Sequence, residues 1–425
     1  FMSNDSYFCI ITILNTHIMK TLKLFFFCVL CAITAQANNY KSIRDFNVLP
    51  TNTPEVNKQN LQKAIDWAAQ SGTALFVDPS ETPYPVNGGI ILKKNVSLIG
   101  VHGPTGRGTK HPSKNHPVGS VFSITDKDNP FISVQSATQI RGIQFWYPEQ
   151  THTKADEIIK YKPTIQMCSD QRAHGVTLSC LTFYGEYTAM DFTATRKNTS
   201  ELVLIEHCYG YPLSGQFIRI DYCYDIPRIL HCHVNPANMR EFGRSFKREI
   251  IDAVIANQTY AFYIDHTDNA QLMDVFTFGT YGGIYLGAES YGQLTNFNLD
   301  CVTIGIYKNG SGTKNRNWQI AQGSIIANAG KSIGEIHPIV IEGQGHTAIS
   351  NVEAFSGMNG ALTAIGQSYD YLLVKGDKRL TISMFGCRMR NYVSKNPITV
   401  QNKQAKIQAV ACIDKNEELY NKIIK

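Results

Sequence analysis

A six-position pattern recurs along this chain of 425 residues: apolar, any, any, apolar, any, apolar. Successive copies start 22 to 43 residues apart, so a constant unit alternates with connections of variable length. The unit is as long as one β-strand, and its apolar residues would all face one narrow core. The pattern therefore predicts an all-β chain folded as a parallel β-helix, a solenoid of stacked coils. Six clear copies and three weaker ones occupy residues 140–145, 178–183, 229–234, 294–299, 349–354, 382–387, 205–210, 272–277 and 320–325.

The first part of the chain has the features of a secretory signal peptide. Lys20 and Lys23 form a short positive region, residues 24–33 are apolar, and Ala35-Gln-Ala37 is a small-residue cleavage site. We expect residues 19–37 to be this signal and residues 1–18 to be an upstream extension that is not native. The apolar stretch is too short for a membrane span, and no later stretch is long enough to cross a bilayer. We therefore expect an exported protein, periplasmic or extracellular, with one domain at residues 38–425.

Two helices are predicted within this β-rich domain. Residues 54–71 carry an apolar stripe, with Thr53-Pro54 as a start signal and Gly72 as a stop signal. Since the terminal unit of a solenoid needs a cover for its open core, we expect this helix to be a cap. Residues 238–256 form a second helix candidate, inserted in the longest connection between repeats. We expect it to lie against the flank of the solenoid and to build one wall of a cleft.

The net charge of the chain narrows the classes of partner. The formal net charge is +6, and removal of residues 1–37 leaves +5, which permits an acidic polymer as partner without requiring one. No run of Lys and Arg resembles a nucleic-acid-binding arm.

Eight cysteines follow residue 37, an even number that would suit disulfides in an exported protein. Since Cys208 and Cys232 hold inward positions of the repeat, we expect free buried thiols instead.

Several segments resemble a known superfamily. Residues 47–51, 74–79, 84–87 and 91–100 resemble the N-terminal part of pectate-lyase-like, right-handed parallel β-helix proteins, which include rhamnogalacturonases. Residues 215–236 and 261–279 are similar to bacterial proteins related to polygalacturonase-type glycoside hydrolases. The resemblance implies a right-handed coil and activity on a polysaccharide, but shared architecture specifies activity only weakly.

The sequence departs from this superfamily at the catalytic motifs. Polygalacturonases carry Asn-Thr-Asp, Asp-Asp, Gly-His-Gly and Arg-Ile-Lys motifs, and this chain does not have them in that order. Residues 345–347 and 219–221 match two of these motifs in part. Residues 263–266, Tyr-Ile-Asp-His, are similar to the Trp-Ile-Asp-His of pectate lyases, yet Leu-Ile-Glu-His at residues 204–207 is similar as well. No catalytic residue is therefore transferred from the resemblance.

Alignment of the repeats supplies an independent argument for a site. When residues 217–221 are aligned with residues 261–265, Asp221 stacks on Asp265 one strand spacing away, and Asp225 lies near Asp268. Carboxylates stacked in this way repel one another unless one is protonated or binds a cation. Such pairs supply the acid and base of glycoside hydrolysis. The alternative is that these aspartates are solvated turn residues or cap backbone amides.

Further polar residues fall on the same coils. His231 would lie beside Asp274, and a carboxylate one layer away could orient and charge its imidazole. We expect His233 and His266 as catalytic candidates, and Asp274, Asn296 and Asn351 as a structural ladder. The substrate-binding candidates are Arg228, His231, Arg240, Arg244, Tyr222 and Tyr224. The alternative for the arginines of the insertion is a solvated helix face. Tyr222, Tyr224 and Tyr263 could stack on sugar rings, and their alternative is packing on the solenoid surface.

These residues support three functional hypotheses. The first is hydrolysis of an acidic, pectin-like polysaccharide by two of the four aspartates, with no cofactor. The second is β-elimination from a uronide, in which aspartates hold a divalent cation such as calcium and His233, His266 or an arginine acts as the base. The third is a non-catalytic solenoid for glycan binding or surface display. The sequence leaves the identity of any metal unknown.

Overall fold

The computed structural model describes residues 19–20, 40–106, 108–151, 153–244, 247–309, 317–327, 334–355, 367–390 and 392–425. Residues 42–425 form one compact unit. The extension expected at residues 1–18 and nearly all of the signal expected at residues 19–37 lie outside the described residues. Across the described ranges, no helix combines the length and the apolar character needed to cross a membrane.

The unit is a solenoid in which each full coil passes through three strands in turn. Equivalent strands of successive coils pair in parallel and build three long sheets, here named sheets 1, 2 and 3 in coil order. Sheet 1 contains Ile90–Leu92, Ile132–Val134, Ile165–Met167, Met190–Thr193, Ile218–Tyr224, the start of Tyr260–Met273, Gly282–Leu286, Ile304–Lys308, His337–Glu342, Leu372–Lys375 and Ile398–Val400.

Sheets 2 and 3 follow sheet 1 in each coil, and several long strands bend from one into the other. Sheet 2 contains Ala74–Phe76, Ser97–Ile99, Gln139–Arg141, Thr177–Ser179, Leu204–Glu206, Arg228–Leu230, the end of Tyr260–Met273, the first parts of Ser290–Asp300, Trp318–Ile326 and Gly345–Phe355, Leu380–Phe385 and Ala405–Ile413. Sheet 3 contains Tyr84–Pro85, Val121–Ser123, Gln144–Trp146, Thr182–Tyr184, Tyr209–Gly210, His233–Val234, Phe276–Phe278, the last parts of Ser290–Asp300, Trp318–Ile326 and Gly345–Phe355, and Arg388–Met389.

The remaining elements are short or terminal. Ala173–His174 and Ser200–Glu201 pair with each other between sheets 1 and 2, and Leu419–Ile424 runs antiparallel to the last strand of sheet 2. The other elements are the strand Tyr40–Ser42, the 3-10 helices Ile43–Phe46, Ala155–Glu157 and Pro236–Gly243, and the α-helices Pro54–Ser71 and Arg248–Ala256. The predicted all-β solenoid with parallel strands is therefore present.

The six-position repeat corresponds to the corner between sheets 2 and 3. In the coil at residues 229–234, Ile229, Cys232 and Val234 are buried, as the pattern requires. The third position adopts a left-handed backbone conformation in successive coils, at Gly142, Cys180, His207, His231, Asp274, Asn296, Gln322 and Asn351. This conformation is open to glycine and is tolerated best among other residues by Asn and Asp. The column of Asp and Asn at this position therefore has a structural reason.

The last copy of the repeat lies two residues later than the sequence pattern suggested. Ile349 pairs with Met384 and not with Ile382, so the final unit is residues 384–389, with its left-handed corner at Gly386. A shift by two residues keeps the same side chains pointing inward, because side chains alternate along a strand with a period of two. Ile382 and Met384 are both buried, so apolar patterning could not distinguish these two registers.

The helix Pro54–Ser71 has the bounds that its start and stop signals indicate. The hydroxyl of Thr53 accepts a hydrogen bond from the Val56 amide, and Gly72 ends the helix in a left-handed conformation. Its apolar stripe, Leu61, Ala64, Ile65 and Ala68, is fully buried. The helix packs against the first strands of all three sheets and covers the core of the first coil.

The inserted segment is not one helix over residues 238–256, as the sequence suggested. The 3-10 helix Pro236–Gly243 is interrupted at Glu241 and Phe242, and a separate α-helix covers Arg248–Ala256. Phe242 and Gly243 both have positive φ angles, which an α-helix cannot continue through. The segment packs against sheet 3 and the connections that follow it, through contacts such as Phe242 on Tyr184 and Glu249 on the Ala155 amide.

A buried acid lies beneath this segment. Glu186 is fully buried, beside the backbone amides of Gly185, Glu186 and Tyr211 and the guanidinium of Arg244. Burial outweighs these favourable contacts and raises the pKa of Glu186 to about 8. A carboxyl whose pKa rises on folding stabilises the fold while it stays protonated, and this contribution is lost as the pH rises towards the folded pKa.

We therefore expect the wild-type protein to lose stability between pH 4.5, the ordinary pKa of a glutamate, and pH 8. Glu186→Gln keeps a neutral side chain of the same shape, so at pH 9 it should be more stable by roughly 5 kcal/mol. Denaturant unfolding across pH 5 to 9 measures this difference. Glu418→Gln, at an exposed position, is the control and should keep the wild-type curve. Equal stability of Glu186→Gln and wild type at pH 9 would contradict the expectation.

Candidate functional site

The coil register brings together two of the four predicted aspartates. Asp221 pairs directly with Asp265 in sheet 1, as alignment of the repeats predicted. Both lie at the end of the sheet where the chain turns towards sheet 2, one coil apart. Since Ile220 and Ile264 before them point into the core, the two aspartates point away from it. These two residues, with Arg219, Tyr222 and His266, are named the aspartate cluster below.

His266 connects the two carboxylates. Its Nδ1 lies 2.8 Å from Asp221 Oδ1 and 3.8 Å from Asp265 Oδ2. Its ring stacks on Tyr222 with the centroids 4.0 Å apart and the planes 7° apart. Tyr222 and His266 occupy equivalent positions of neighbouring coils, both with a positive φ. About 30% of the His266 side chain is exposed, so a solute can reach the imidazole while its orientation is held.

Arg219 adds a fixed positive charge to the cluster. Its guanidinium donates to Asp221 Oδ2 at 3.2 Å and lies over the ring of Tyr263 at 4.5 Å. Asp221 is therefore held between a guanidinium and an imidazole, with only 11% of its side chain exposed. The arginine stands two residues before the aspartate on the same strand, and its contact with Tyr263 is a cation–π interaction.

Asp265 is held differently. Its Oδ1 accepts hydrogen bonds from the His266 amide at 2.8 Å and the Glu289 amide at 3.2 Å. Burial nevertheless raises the pKa of Asp265 above its usual range, since desolvation outweighs these hydrogen bonds. The alternative considered for the aspartates, a cap on backbone amides, is thus part of the role of Asp265. Asp221 has no such backbone contact among the hydrogen bonds of the described residues.

A row of stacked tyrosines continues from the cluster along the outside of sheet 1. Tyr263 stacks on Tyr285 at 4.5 Å, and Tyr285 stacks on Tyr307 at 5.7 Å, with nearly parallel rings. This row is named the tyrosine ladder. Tyr263 was a candidate from the sequence, whereas Tyr285 and Tyr307 were not, although the three tyrosines recur at a constant interval of 22 residues, which is a signal for a stacked column.

Other predicted residues lie close in sequence but outside the cluster. Asp225 is exposed in the turn after Tyr224, in a left-handed conformation. Arg228 donates to the carbonyl of Ile226 in the same turn. Asp268 is half-buried, and its Oδ1 is buried with no hydrogen-bond partner among the described residues. The register aligns Cys223 with Thr267, which places Tyr224 and not Asp225 level with Asp268.

His231 and His233 lie on a different face of the solenoid. They stand at the corner between sheets 2 and 3, whereas the aspartate cluster is at the turn between sheets 1 and 2. His231 Nδ1 lies 2.7 Å from Asp274 Oδ2, as the predicted pairing requires. These residues line a surface cavity of about 240 Å³, named the histidine cleft, formed by His207, Tyr209, His231, Cys232, His233, Asp274 and Phe276.

Aromatic stacking organises the histidine cleft. His207 stacks on His231 at 4.7 Å, and the ring of His233 lies between Tyr209, at 5.3 Å, and Phe276, at 4.2 Å. The connection at residues 101–119 approaches Tyr209 and also contacts the inserted segment through His111 and Glu241. The predicted wall of a cleft is therefore on the side of sheet 3, away from the aspartates.

Two of the three arginines predicted to bind substrate, Arg240 and Arg244, belong to the inserted segment. Arg244 donates to the carbonyl of Tyr147 at 2.6 Å and lies over Trp146, and burial lowers its pKa to about 10. Its geometry is that of an anchor for the segment. Arg240 is exposed. Both arginines belong to a segment that packs on the side of sheet 3, whereas the aspartate cluster lies at the turn between sheets 1 and 2.

The donor atoms of the aspartate cluster do not fit a divalent cation. Asp221 uses one oxygen on His266 and the other on Arg219, and Asp265 Oδ1 accepts two amides. Calcium requires six to eight oxygen ligands, and a guanidinium beside the carboxylates repels a cation. Within the described part of the chain, no group of three or more His, Cys, Asp or Glu side chains has a geometry suited to a metal.

None of the described cysteines forms a disulfide bond. Seven are buried, and Cys180 is partly exposed at the corner between sheets 2 and 3. Cys208 and Cys232 occupy the inward fourth position of the repeat, and burial raises the pKa of Cys208 well above its usual range. These thiols act as small apolar groups in the core.

Comparison with known proteins supports the fold and adds little on activity. No protein-family model matches the sequence, and no curated protein matches it. Among solved structures, pre-mature gene product 12 of bacteriophage phi29 has a TM-score of 0.56 at 11% identity, over 88% of this chain and 52% of that one. The chain thus spans about half the length of the phi29 protein.

Two further solved structures are similar. A mutant tailspike of E. coli bacteriophage HK620, in complex with a pentasaccharide, has a TM-score of 0.50 at 13% identity, over 87% of this chain and 67% of that one. An exopolygalacturonase from Thermotoga maritima has a TM-score of 0.49 at 12% identity, over 91% and 94%. At 11% and 13% identity, the phi29 protein and the HK620 tailspike share the fold of this chain.

Proposed function

We propose that this chain is an exported enzyme that hydrolyses glycosidic bonds of an acidic, pectin-like polysaccharide at the aspartate cluster. The observation that carries the proposal is the meeting of two carboxylates and one imidazole on neighbouring coils, with both carboxylates within 3.8 Å of His266 Nδ1. Paired carboxyl groups in different environments are the usual means of glycoside hydrolysis. The pentasaccharide bound by the HK620 tailspike supports a sugar ligand on this fold.

In this proposal, Asp265 is the general acid. Its raised pKa keeps a fraction of the carboxyl protonated at a pH where an exposed aspartate is ionised. Its Oδ1 is fixed by two backbone amides, so Oδ2 would carry the proton and donate it to the glycosidic oxygen. The departing sugar thereby leaves as a neutral alcohol.

The Asp221–His266 pair would act as the base. Asp221 Oδ1 accepts a hydrogen bond from Nδ1 of the imidazole. This leaves Nε2 as the nitrogen that can take a proton from the attacking water. Arg219 lies 3.2 Å from Asp221 and can also attract the carboxylate of a uronate unit. The catalytic roles of Asp225, Asp268 and His233 stay predictions. The same holds for the substrate-binding candidates, which are Arg228, His231, Arg240, Arg244, Tyr222 and Tyr224.

Two alternatives use the same residues. In β-elimination, His266 would remove the proton beside the uronate carboxylate, and Arg219 would neutralise the charge that develops. The cation expected for that route has no suitable donor set in the cluster, so elimination would proceed without it. In the non-catalytic alternative, the tyrosine ladder and Arg219 bind a glycan that is not cleaved.

Replacement of either carboxyl tests the proposal. Asp265→Asn and Asp221→Asn should each reduce the rate of cleavage by about 100- to 10,000-fold, the usual contribution of a general acid or base. Acidic and neutral polysaccharides are incubated with each variant, and reducing ends and ultraviolet absorbance are recorded together. Reducing ends alone indicate hydrolysis, whereas absorbance from a new double bond indicates elimination. Asp128→Asn, in an exposed loop, is the matched control. Full activity of both cluster variants would overturn the proposal.

Gly287 offers a second test, because it occupies the position of the next coil that is equivalent to Asp265. A Cβ atom at Gly287 would overlap the carboxyl group of Asp265, so Gly287→Ala should displace that side chain. We expect a loss of activity of about 100-fold, typical of a misplaced catalytic group, with an unchanged circular dichroism spectrum. Gly103→Ala is the control, since no atom lies within 4 Å of that position. Wild-type activity of Gly287→Ala would show that Asp265 need not hold its observed position.

Treatment with a chelator distinguishes elimination that depends on a bound cation from cleavage that needs none. Because the cluster oxygens already accept from Arg219, His266 and two amides, treatment with EDTA should leave the rate of cleavage unchanged. The measurement is the same reducing-end assay before and after dialysis against the chelator. A loss of activity that added calcium restores would instead indicate elimination with a bound cation.

A further inference from the structure

The aspartate cluster is one end of a polar column that continues along the outside of sheet 1. The strand register places Asp221, Asp265, Gly287, Asn309, Glu342 and Lys375 at equivalent positions of successive coils. Four coil steps separate Asp265 from Lys375, which is about 19 Å at about 4.8 Å per step and the length of roughly four sugar units. The column therefore runs parallel to the solenoid axis.

The tyrosine ladder lies beside this column, and hydrogen bonds hold its hydroxyl groups. Tyr285 accepts from Asn309 at 2.5 Å, and Tyr307 donates to Glu342 at 2.6 Å. Glu342 also lies 3.2 Å from Lys375, whose ammonium is 5.1 Å from the Tyr307 ring centroid. With Arg219 over Tyr263 at the other end, the ladder has a cation at each end. Aromatic side chains of this kind offer an amphipathic surface to sugars.

A cavity of about 350 Å³ lies beyond the far end of the ladder, where the chain turns into sheet 2. It is named the distal pocket and is lined by Asn317, Gly345, His346, Arg379 and Thr381. His346 is held in place, since its amide donates to Asn317 Oδ1 and its Nδ1 lies 3.0 Å from Thr381 Oγ1. Arg379 is exposed and follows Lys375 by four residues.

The surroundings of the distal pocket are positively charged. Lys308 is buried, and its ammonium donates to the carbonyl of Gln344, the residue before Gly345. Burial lowers the pKa of Lys308 to about 8, so the ammonium is still mostly charged at pH 7. Together with Arg379 and Lys375, Lys308 supplies three positive charges, against the two negative charges of Glu342 and Asp377. A guanidinium in such a place can bind an oxyanion through two parallel hydrogen bonds.

We propose that the distal pocket binds an anionic substituent, a carboxylate or a sulfate, of a polysaccharide that extends from the aspartate cluster along the tyrosine ladder. This inference rests on the proposed function and adds to it a minimum chain length and a second anion-binding position. A short oligosaccharide that occupies the aspartate cluster does not reach Arg379. A chain of about six units does, and it gains the contact.

The test compares short and long anionic oligosaccharides by isothermal titration calorimetry with the full chain. The probes are oligogalacturonides of two and six units, carrageenan oligosaccharides of the same lengths for sulfate, and neutral malto-oligosaccharides. We expect Arg379→Ala to weaken binding of the six-unit anionic probe at least tenfold and to leave the two-unit probe within twofold of wild type. Arg379→Lys should restore part of the loss, because it keeps the charge without the bidentate geometry.

Lys378→Ala is the matched control, because it removes the same charge one residue away, at a position outside the pocket lining. Its affinity for the six-unit probe should stay within twofold of wild type. The uronate and sulfate probes show which anion is preferred. Equal affinity of Arg379→Ala and wild type for the long anionic probe overturns the inference alone. Failure of the wild type to bind or cleave any probe overturns it together with the proposed function.

Discussion

The parallel backbone hydrogen bonding between successive coils is the interaction on which the rest of this structure depends. It holds each residue directly beside its equivalent in the next coil, so one favourable side-chain contact can be repeated along the whole solenoid. Inside, this repetition builds the continuous core, with Phe145 stacked on Phe183 as one example. Outside, the same register creates the column of Asp221 and Asp265 and the ladder from Tyr263 to Tyr307.

Stacking of equivalent side chains is unfavourable where they carry the same charge, and the candidate site contains groups that reduce this repulsion. Two carboxylates one strand spacing apart repel, and His266 and Arg219 lie where they reduce that repulsion. The Asp265 side chain occupies the space that Gly287 leaves in the next coil, where its Oδ1 accepts hydrogen bonds from two backbone amides. A column of identical acids would be unstable, and the change from Asp to Gly to Asn along it removes the conflict.

The prediction of the fold from sequence was successful because burial constrains every coil in the same way. The inward positions of the repeat, the cap helix at Pro54–Ser71 and the register of Asp221 with Asp265 all follow from apolar periodicity and local capping signals. The errors have local causes. The last repeat is displaced by two residues because period-two alternation accepts either register, and the inserted segment is split because Phe242 and Gly243 adopt left-handed conformations.

The sequence by itself determined which residues stack and in what order along the solenoid axis. Only the tertiary structure decided which stacked columns share a face. His231 and Asp265 are on neighbouring coils, yet the turn between sheets 1 and 2, with left-handed conformations at Tyr222 and His266, and the strand of sheet 2 that follows separate their positions along the coil. One residue therefore faces the histidine cleft and the other belongs to the aspartate cluster. Outward-facing positions carry no apolar period, so nothing in the sequence pattern reports the direction in which each corner turns them.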